Sequence, residues 1–419
     1  MKANLILFFL IAWTSITFSQ SPFFLSCKTN LLKQGKAVLY AHPNFSYTSN
    51  NDTVLIDNWS FSFNGYIKYP EMRRIELLEV QHITEPFFID FGSQQIIVDS
   101  SNELHDRLDF GSGVIVFGSK TNDEYFNNYL SKFFAVNNKR EKYYQFLNGC
   151  DSIEDTQLEN TCIIKSDSIK TEIKLMRDSI LFNYSEVHPD SKIIPWLIYD
   201  ALYYNGYQSL FQEAFKKSQK NYPDNLIQCI DSFISKSKLT AVGSEFPLLG
   251  FINSSLKNNY VESNKFTLVD FWFTKCRPCI AQFDKLKAVY QKNKNNGFDM
   301  IAISVDKEKD VSTYQKMIKQ HAYPWKQILD IEGVKSSEIN IKKIPSNFLL
   351  NNNGIIIAID ISPVILDDFL EKNLNNSHGC SLDSLDSDHK ASLDTGPGPG
   401  QGSLKHPKAW RATGGTGPL

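Results

Sequence analysis

Apolar and polar positions alternate along the first part of the chain. In Trp59-Ser60-Phe61-Ser62-Phe63 every second residue is apolar, the period of a half-buried strand, and the following Asn64-Gly65 is a turn signal. Val54–Ile56, Ile75–Val80, Phe87–Phe91, Gln95–Val98 and Val114–Phe117 read as further short strands. Short strands separated by turn residues predict an antiparallel β-sandwich over residues 20–118. Beyond it the period lengthens. Tyr125, Tyr129, Phe133 and Phe134, then Ile173, Met176, Ile180 and Leu181, fall at helical spacing. Asp190-Ser191 reads as the cap of a helix through Trp196, Tyr199 and Leu202 that stops at Asn205-Gly206, and Asp224 starts another through Ile227, Ile230 and Ile234. Residues 119–238 are therefore expected to be a helical middle region whose aromatics form core.

From residue 239 to 375 strands and helices alternate. Phe266–Trp272 and Met300–Val305 are continuous β-favouring runs, Cys279–Tyr290 is amphipathic, and Val311–Gln320 and Val364–Leu374 read as further helices. Asn347–Leu350 and Ile355–Ile359 are joined by Asn351-Asn352-Asn353-Gly354, a hairpin signal. The pattern predicts a C-terminal α/β domain with a mixed sheet. Residues 376–419 carry Gly/Pro-rich stretches at Thr395–Gly400 and Gly414–Pro418 that cannot build a core, so a disordered tail or cloning remnant is expected there. The multidomain order agrees with the length, since 419 residues exceed one ordinary domain.

Composition changes this picture little. Hydrophobic residues make up 42% and aromatics 13%, which suits packed β-rich domains, and a net charge of −2 gives no reason to expect a nucleic-acid partner. The N-terminus changes it more. Lys2, the apolar run Leu5–Trp13 and the small polar stretch Thr17-Phe18-Ser19 read as a signal peptide over residues 1–19, with export to a periplasm or cell envelope. An uncleaved anchor is the alternative. Export permits disulfides among the 7 cysteines. Cys150 and Cys162 flank a polar stretch and could pair, although sequence does not fix connectivity.

The chemistry concentrates at Cys276-Arg277-Pro278-Cys279, which follows a predicted strand and opens a predicted helix. A helix N-terminus presents unpaired N–H groups and a positive partial charge, which stabilise a thiolate on Cys276. Cys276 is expected to be the exposed nucleophile, and Cys279, one turn in, the shielded thiol that resolves a mixed disulfide. Pro278 is tolerated in the first turn. Lys275 and Arg277 add positive charge, or are ordinary surface charges. Half a zinc site and an inert structural disulfide share the spacing. A metal would need two more ligands, and the histidines are not spaced to give them.

The segment Val269 to Cys279 resembles the active-site segment of thioredoxins and of TlpA-like and ResA-like thiol-disulfide oxidoreductases. The resemblance covers about residues 242–374. It implies a thioredoxin-like fold and makes Asp270 a buried carboxylate that exchanges a proton with the second cysteine. The apolar flanks of Asp270 agree, since burial raises a carboxyl pKa; an exposed strand-end aspartate is the alternative. Ile344-Pro345 resembles the family's cis-proline loop, which binds substrate backbone, or else Pro345 is a trans proline opening an edge strand. The implied substrate-contacting residues are Ile344, Pro345, Trp272, Lys275, Arg277 and Pro278. Two departures bear on partner choice. Lys275 replaces a usual tryptophan, and Gln282 and Asp284 stand where TlpA-like proteins often carry Glu and Pro. Asp52–Val54, Phe61–Gly65 and Lys68–Met72 resemble the β-rich domain of unknown function that often precedes such domains in exported proteins.

The expected function is disulfide exchange with protein thiols and disulfides through Cys276 and Cys279, in the reducing direction, with a membrane electron donor and no cofactor beyond that disulfide. A thiol peroxidase on the same fold, and an envelope binding protein using the domain as a scaffold, are the alternatives.

Overall fold

A computed structural model describes residues 20–41, 51–99, 113–150, 156–252, 261–341 and 343–374. The expected signal peptide and C-terminal tail lie outside them. Among the described residues no helix is long and apolar enough to cross a membrane.

The N-terminal region is β-rich and holds two sheets. Its strands are β1 (Ser21–Thr29), β2 (Gly35–Ala41), β3 (Asp52–Ile56), β4 (Ser60–Ile67), β5 (Glu71–Leu77), β6 (His82–Ile83), β7 (Phe87–Ile89), β8 (Gly92–Asp99) and β9 (Gly113–Phe117). One sheet has the order β4-β1-β8-β9, the other β3-β2-β5-β6 with β7 beside β5. Alternation drives the packing: Phe23, Leu25 and Cys27 of β1 point inward while Phe24, Ser26 and Lys28 point out. Leu25, Phe63 and Val98 of the first sheet share one core with Leu39, Ile75 and Ile89 of the second.

Two sequence expectations are corrected here. The first sheet is mixed rather than antiparallel, because β1 and β8 run parallel. Strands β2–β7 form the long crossover that parallel neighbours need. Asn64-Gly65 is not a turn but lies inside β4. Gly65 stands opposite Phe23, and a Cβ there would meet the Phe23 ring at 2.8 Å. This glycine serves close approach rather than chain reversal.

The middle region is helical, with α1 (Lys120–Asp123), α2 (Phe134–Cys150), α3 (Thr156–Val187), α4 (Ile194–Asn205), α5 (Ser209–Ser218) and α6 (Asp224–Lys238). Trp196, Tyr199, Phe211, Phe215 and Ile230 form its core, which Tyr69, Met72 and Phe88 of the β-rich region join. Tyr125, Tyr129 and Phe133 are buried, whereas Phe134 is 72% exposed. The chain runs there as a π-turn followed by a 3-10 turn, so strict helical spacing puts Phe134 on the wrong side. Asp190-Ser191 does not cap α4. Its N-cap is Ile193, and the Ser191 hydroxyl donates to Glu124. Cys150 and Cys162 are joined in a disulfide between α2 and α3.

The C-terminal region contains β10 (Phe266–Trp272), α7 (Arg277–Asn293), β11 (Phe298–Ser304), α8 (Val311–His321), β12 (Lys326–Leu329), α9 (Val334–Glu338), β13 (Ser346–Asn351), β14 (Ile356–Ile359) and α10 (Pro363–Leu374). They build a mixed sheet of order β12-β11-β10-β13-β14, with β13 antiparallel to β10 and β14. Along β10, Leu268 and Trp272 face a core with Phe283 of α7 and Leu366 of α10, while Val269 and Phe271 face a second core with Phe246 and Phe348. Asn351 makes the hairpin, its Oδ1 accepting from the Asn353 and Ile355 N–H groups.

Candidate active site

Cys276 is the N-cap of α7, with extended backbone (φ −79°, ψ 91°), and its Sγ accepts from the Cys279 N–H at 3.2 Å. The helix therefore starts with a sulfur in the place where an oxygen usually caps, facing the unpaired N–H groups of the first turn. The two sulfurs are joined in a disulfide with Cα atoms 5.3 Å apart. In this oxidised form Cys276 is 3% and Cys279 1% exposed. The expectation of an exposed Cys276 is corrected: the bond turns its sulfur inward, into the core that holds Trp272 and Phe283. Arg277 and Pro278, the residues between, are exposed.

Asp270 lies on the face of β10 that carries Leu268 and Trp272, the face covered by α7 and Cys279. It is 1% exposed, and its Oδ1 has no hydrogen-bond partner among the described residues. Burial holds its pKa well above the usual carboxylate range, and the negative charge of Asp360 adds to the rise. The group is a neutral acid at a pH where an exposed aspartate has lost its proton. Across the strand from Asp270 stands Asn347, whose side chain is engaged elsewhere, with the Ile361 backbone N–H and C=O.

The Ile344–Pro345 bond is cis. Ile344 packs against both cores of the domain, and Ser346, the residue after Pro345, pairs with Phe271 near the end of β10, so this loop lies at the end of the sheet from which the chain leads to Cys276. The remaining expected contact residues divide. Lys275 is exposed and donates to Asp310 at 2.6 Å. Trp272 is fully buried against Phe283, Tyr314 and Tyr323, and cannot touch a protein substrate. It is a core residue, because the strand's alternation points it beneath α7.

Sequence reasoning missed Asp306. This carboxylate, 2% exposed, accepts from the Thr274 N–H at 3.1 Å, from its hydroxyl at 2.6 Å and from the Ser304 hydroxyl at 2.6 Å. It ties the loop before Cys276 to the end of β11. An aspartate directly after a buried strand was the available signal, but its partner Thr274 is 32 residues away.

A CxxC disulfide at the start of a helix, a mixed sheet beneath it and a cis proline at the same end of the sheet define a thioredoxin-like domain. Residues 245–359 match the model described as the AhpC/TSA family, and residues 25–125 match the domain of unknown function DUF4369. Thiol-disulfide oxidoreductase ResA of Bacillus cereus is 26% identical over 129 residues, 30% of this chain and 72% of that protein. Sporulation thiol-disulfide oxidoreductase A of Bacillus subtilis is 26% identical over 106 residues, 25% of this chain and 64% of that protein. The thioredoxin domain of a thiol-disulfide oxidoreductase from Bacteroides vulgatus is 30% identical, covering 27% of this chain and 82% of that one, with a TM-score of 0.25. The chain belongs to the thioredoxin-like thiol-disulfide oxidoreductases, and is an enzyme of that kind with a DUF4369 domain ahead of the redox domain.

Proposed function

We propose that this enzyme reduces disulfides of exported proteins in an extracytoplasmic space through Cys276 and Cys279. The observation that carries the reading is the buried Asp270, whose Oδ1 has no hydrogen-bond partner among the described residues, on the sheet face that packs with Cys279. In the reduced enzyme Cys276 attacks a substrate disulfide as a thiolate and releases one substrate thiol. Cys279 then loses its proton and attacks the mixed disulfide, which releases the second. Two electrons and two protons pass from the enzyme dithiol to the substrate. The ionised form of Asp270 accepts the Cys279 proton and hands it on to the departing substrate thiolate, because a carboxyl whose pKa is lifted toward that of a thiol exchanges protons with it at little cost. Ile344 and Pro345 hold substrate backbone, with Lys275, Arg277 and Pro278 at the rim.

Export rests on the leader-like sequence before residue 20. An oxidising compartment then requires an electron donor at the membrane to restore the dithiol. The paired sheets of the β-rich region are read as a sandwich that adds an envelope-facing module. Equilibrating the Cys276–Cys279 couple in a thiol buffer tests the direction. A potential near or below about −230 mV supports a reductant, while a value near about −120 mV makes the protein a disulfide donor and overturns the proposal.

A further inference from the structure

A cavity of about 500 Å³ lies between the helical region and the redox domain. Lys170 and Lys174 of α3 and Tyr204 at the end of α4 form one wall; Ser346, Ile359 and Asp360 form the other. Ser346 directly follows the cis Pro345, so the cavity begins where the proline loop ends.

Three features of its lining suit an extended polypeptide. The first is an open sheet edge. β14 is an edge strand, and the Asp360 N–H donates inward to the Asn347 C=O at 2.8 Å. Strand alternation therefore turns the N–H and C=O of Ile359 away from β13, toward the cavity. Near its start the same edge is already in use. The Ile356 N–H donates to the Ser244 C=O at 2.9 Å, and its C=O accepts from the Gly243 N–H at 2.8 Å. The second is an unused acceptor. Asn340, also in the lining, donates through Nδ2 to the Ser237 hydroxyl at 2.8 Å, while its buried Oδ1 has no partner among the described residues. The third is charge. Lys170, Lys174 and Lys343 meet Asp167 and Asp360 there. Burial raises the Asp167 pKa, against the lowering pull of Lys170 and with a smaller rise from Asp360.

We propose, on the oxidoreductase reading above, that this cavity receives an extended segment of the protein substrate adjoining its reactive cysteine. The segment pairs with the β14 edge at Ile359, as strand-adding peptides do, and sets an Asp or Glu side chain against Lys170 and Lys174. The cavity's volume is in the range that binds a short piece of chain.

The test uses the full chain, reduced beforehand, in single turnover against three disulfides. These are the disulfide-linked dimer of a short synthetic peptide with aspartates flanking its cysteine, the same peptide with serines instead, and 2-hydroxyethyl disulfide. The wild type should react roughly tenfold faster with the aspartate peptide than with the serine peptide. Lys170→Glu with Lys174→Glu should abolish or invert that preference and leave the 2-hydroxyethyl disulfide rate unchanged. Both lysines lie on the surface of α3, and Thr171→Trp, which fills the same wall, should slow both peptides alone. A wild type without the preference, or a preference that survives Lys170→Glu/Lys174→Glu, overturns the cavity's role. A wild type inert even toward 2-hydroxyethyl disulfide overturns the oxidoreductase reading beneath it.

Discussion

Cys150 ends one helix and Cys276 begins another, and the two disulfides they form sit in opposite surroundings. Cys150 is the last residue of α2, and its partner Cys162 lies within α3. A helix C-terminus carries negative partial charge and disfavours a thiolate. Cys276 occupies the N-cap of α7, where the partial charge is positive, with a buried acid on the sheet beneath and a cis proline at the same end of the sheet. Reactivity follows from where a cysteine stands on its helix and what lies beneath it, not from the bond. One bond joins two helices, the other is the proposed redox centre.

The largest effects should separate the two bonds. Cys276→Ser should lower disulfide-reductase turnover by about 1000-fold or more, since the nucleophile is gone. Cys150→Ser should change turnover less than about twofold, because that bond has no part in the exchange. Stability should respond in the opposite sense. Removing the Cys150–Cys162 link, which spans a separation of 12 residues, should cost about 3 kcal/mol in chemical denaturation. Turnover and denaturation measured on both variants check this, and a Cys150→Ser enzyme as dead as Cys276→Ser would erase the distinction.

Next in size is Asp270→Asn. Turnover should fall about 100-fold, and the carboxyl limb should vanish from the pH–rate profile. Stability gives an independent reading. The folded pKa of Asp270 lies above its unfolded value of about 3.9, so between the two the folded state holds a proton that unfolding releases. Wild-type stability should therefore decline as pH rises through that window, by at most about 1.4 kcal/mol per pH unit. Asp270→Asn should remove this decline and be the more stable protein at the upper end. Equal pH slopes in the two proteins would mean that Asp270 is not held protonated.

The features that were legible in the sequence are local ones. Strand, CxxC and helix start occupy a single stretch from Phe266 to Tyr290, and the apolar flanks of Asp270 already implied burial. The hairpin at Asn351–Gly354 needed only its own side chains. Where sequence reading failed, a distant segment decided the outcome. Gly65 looks like a turn until Phe23 is placed across from it. Trp272 looks like part of a binding rim until α7 and Tyr314 close over it. The parallel pairing of β1 with β8 joins residues with a whole sheet between them in sequence. Asp306 looks like a strand-end surface charge until it receives Thr274. Periodicity reports which face of an element is buried, but not what buries it.

The smallest effect concerns the contact that links the two disulfide-bearing helices. Lys285, on α7 beyond Cys279, donates to Glu159, on α3 one turn before Cys162, at 2.8 Å. Both side chains are about half exposed, at 52% and 45%, so water and salt screen the pair. A double-mutant cycle with Lys285→Ala and Glu159→Ala should return a coupling of about 0.5 kcal/mol that shrinks as salt is added. Turnover should stay within about twofold, because the pair touches neither sulfur nor Asp270. If the coupling instead exceeded about 2 kcal/mol, or if it changed when Cys276–Cys279 was reduced, the Cys150–Cys162 link and the proposed redox centre would be energetically joined. The contrast between them would then hold for chemistry and fail for stability.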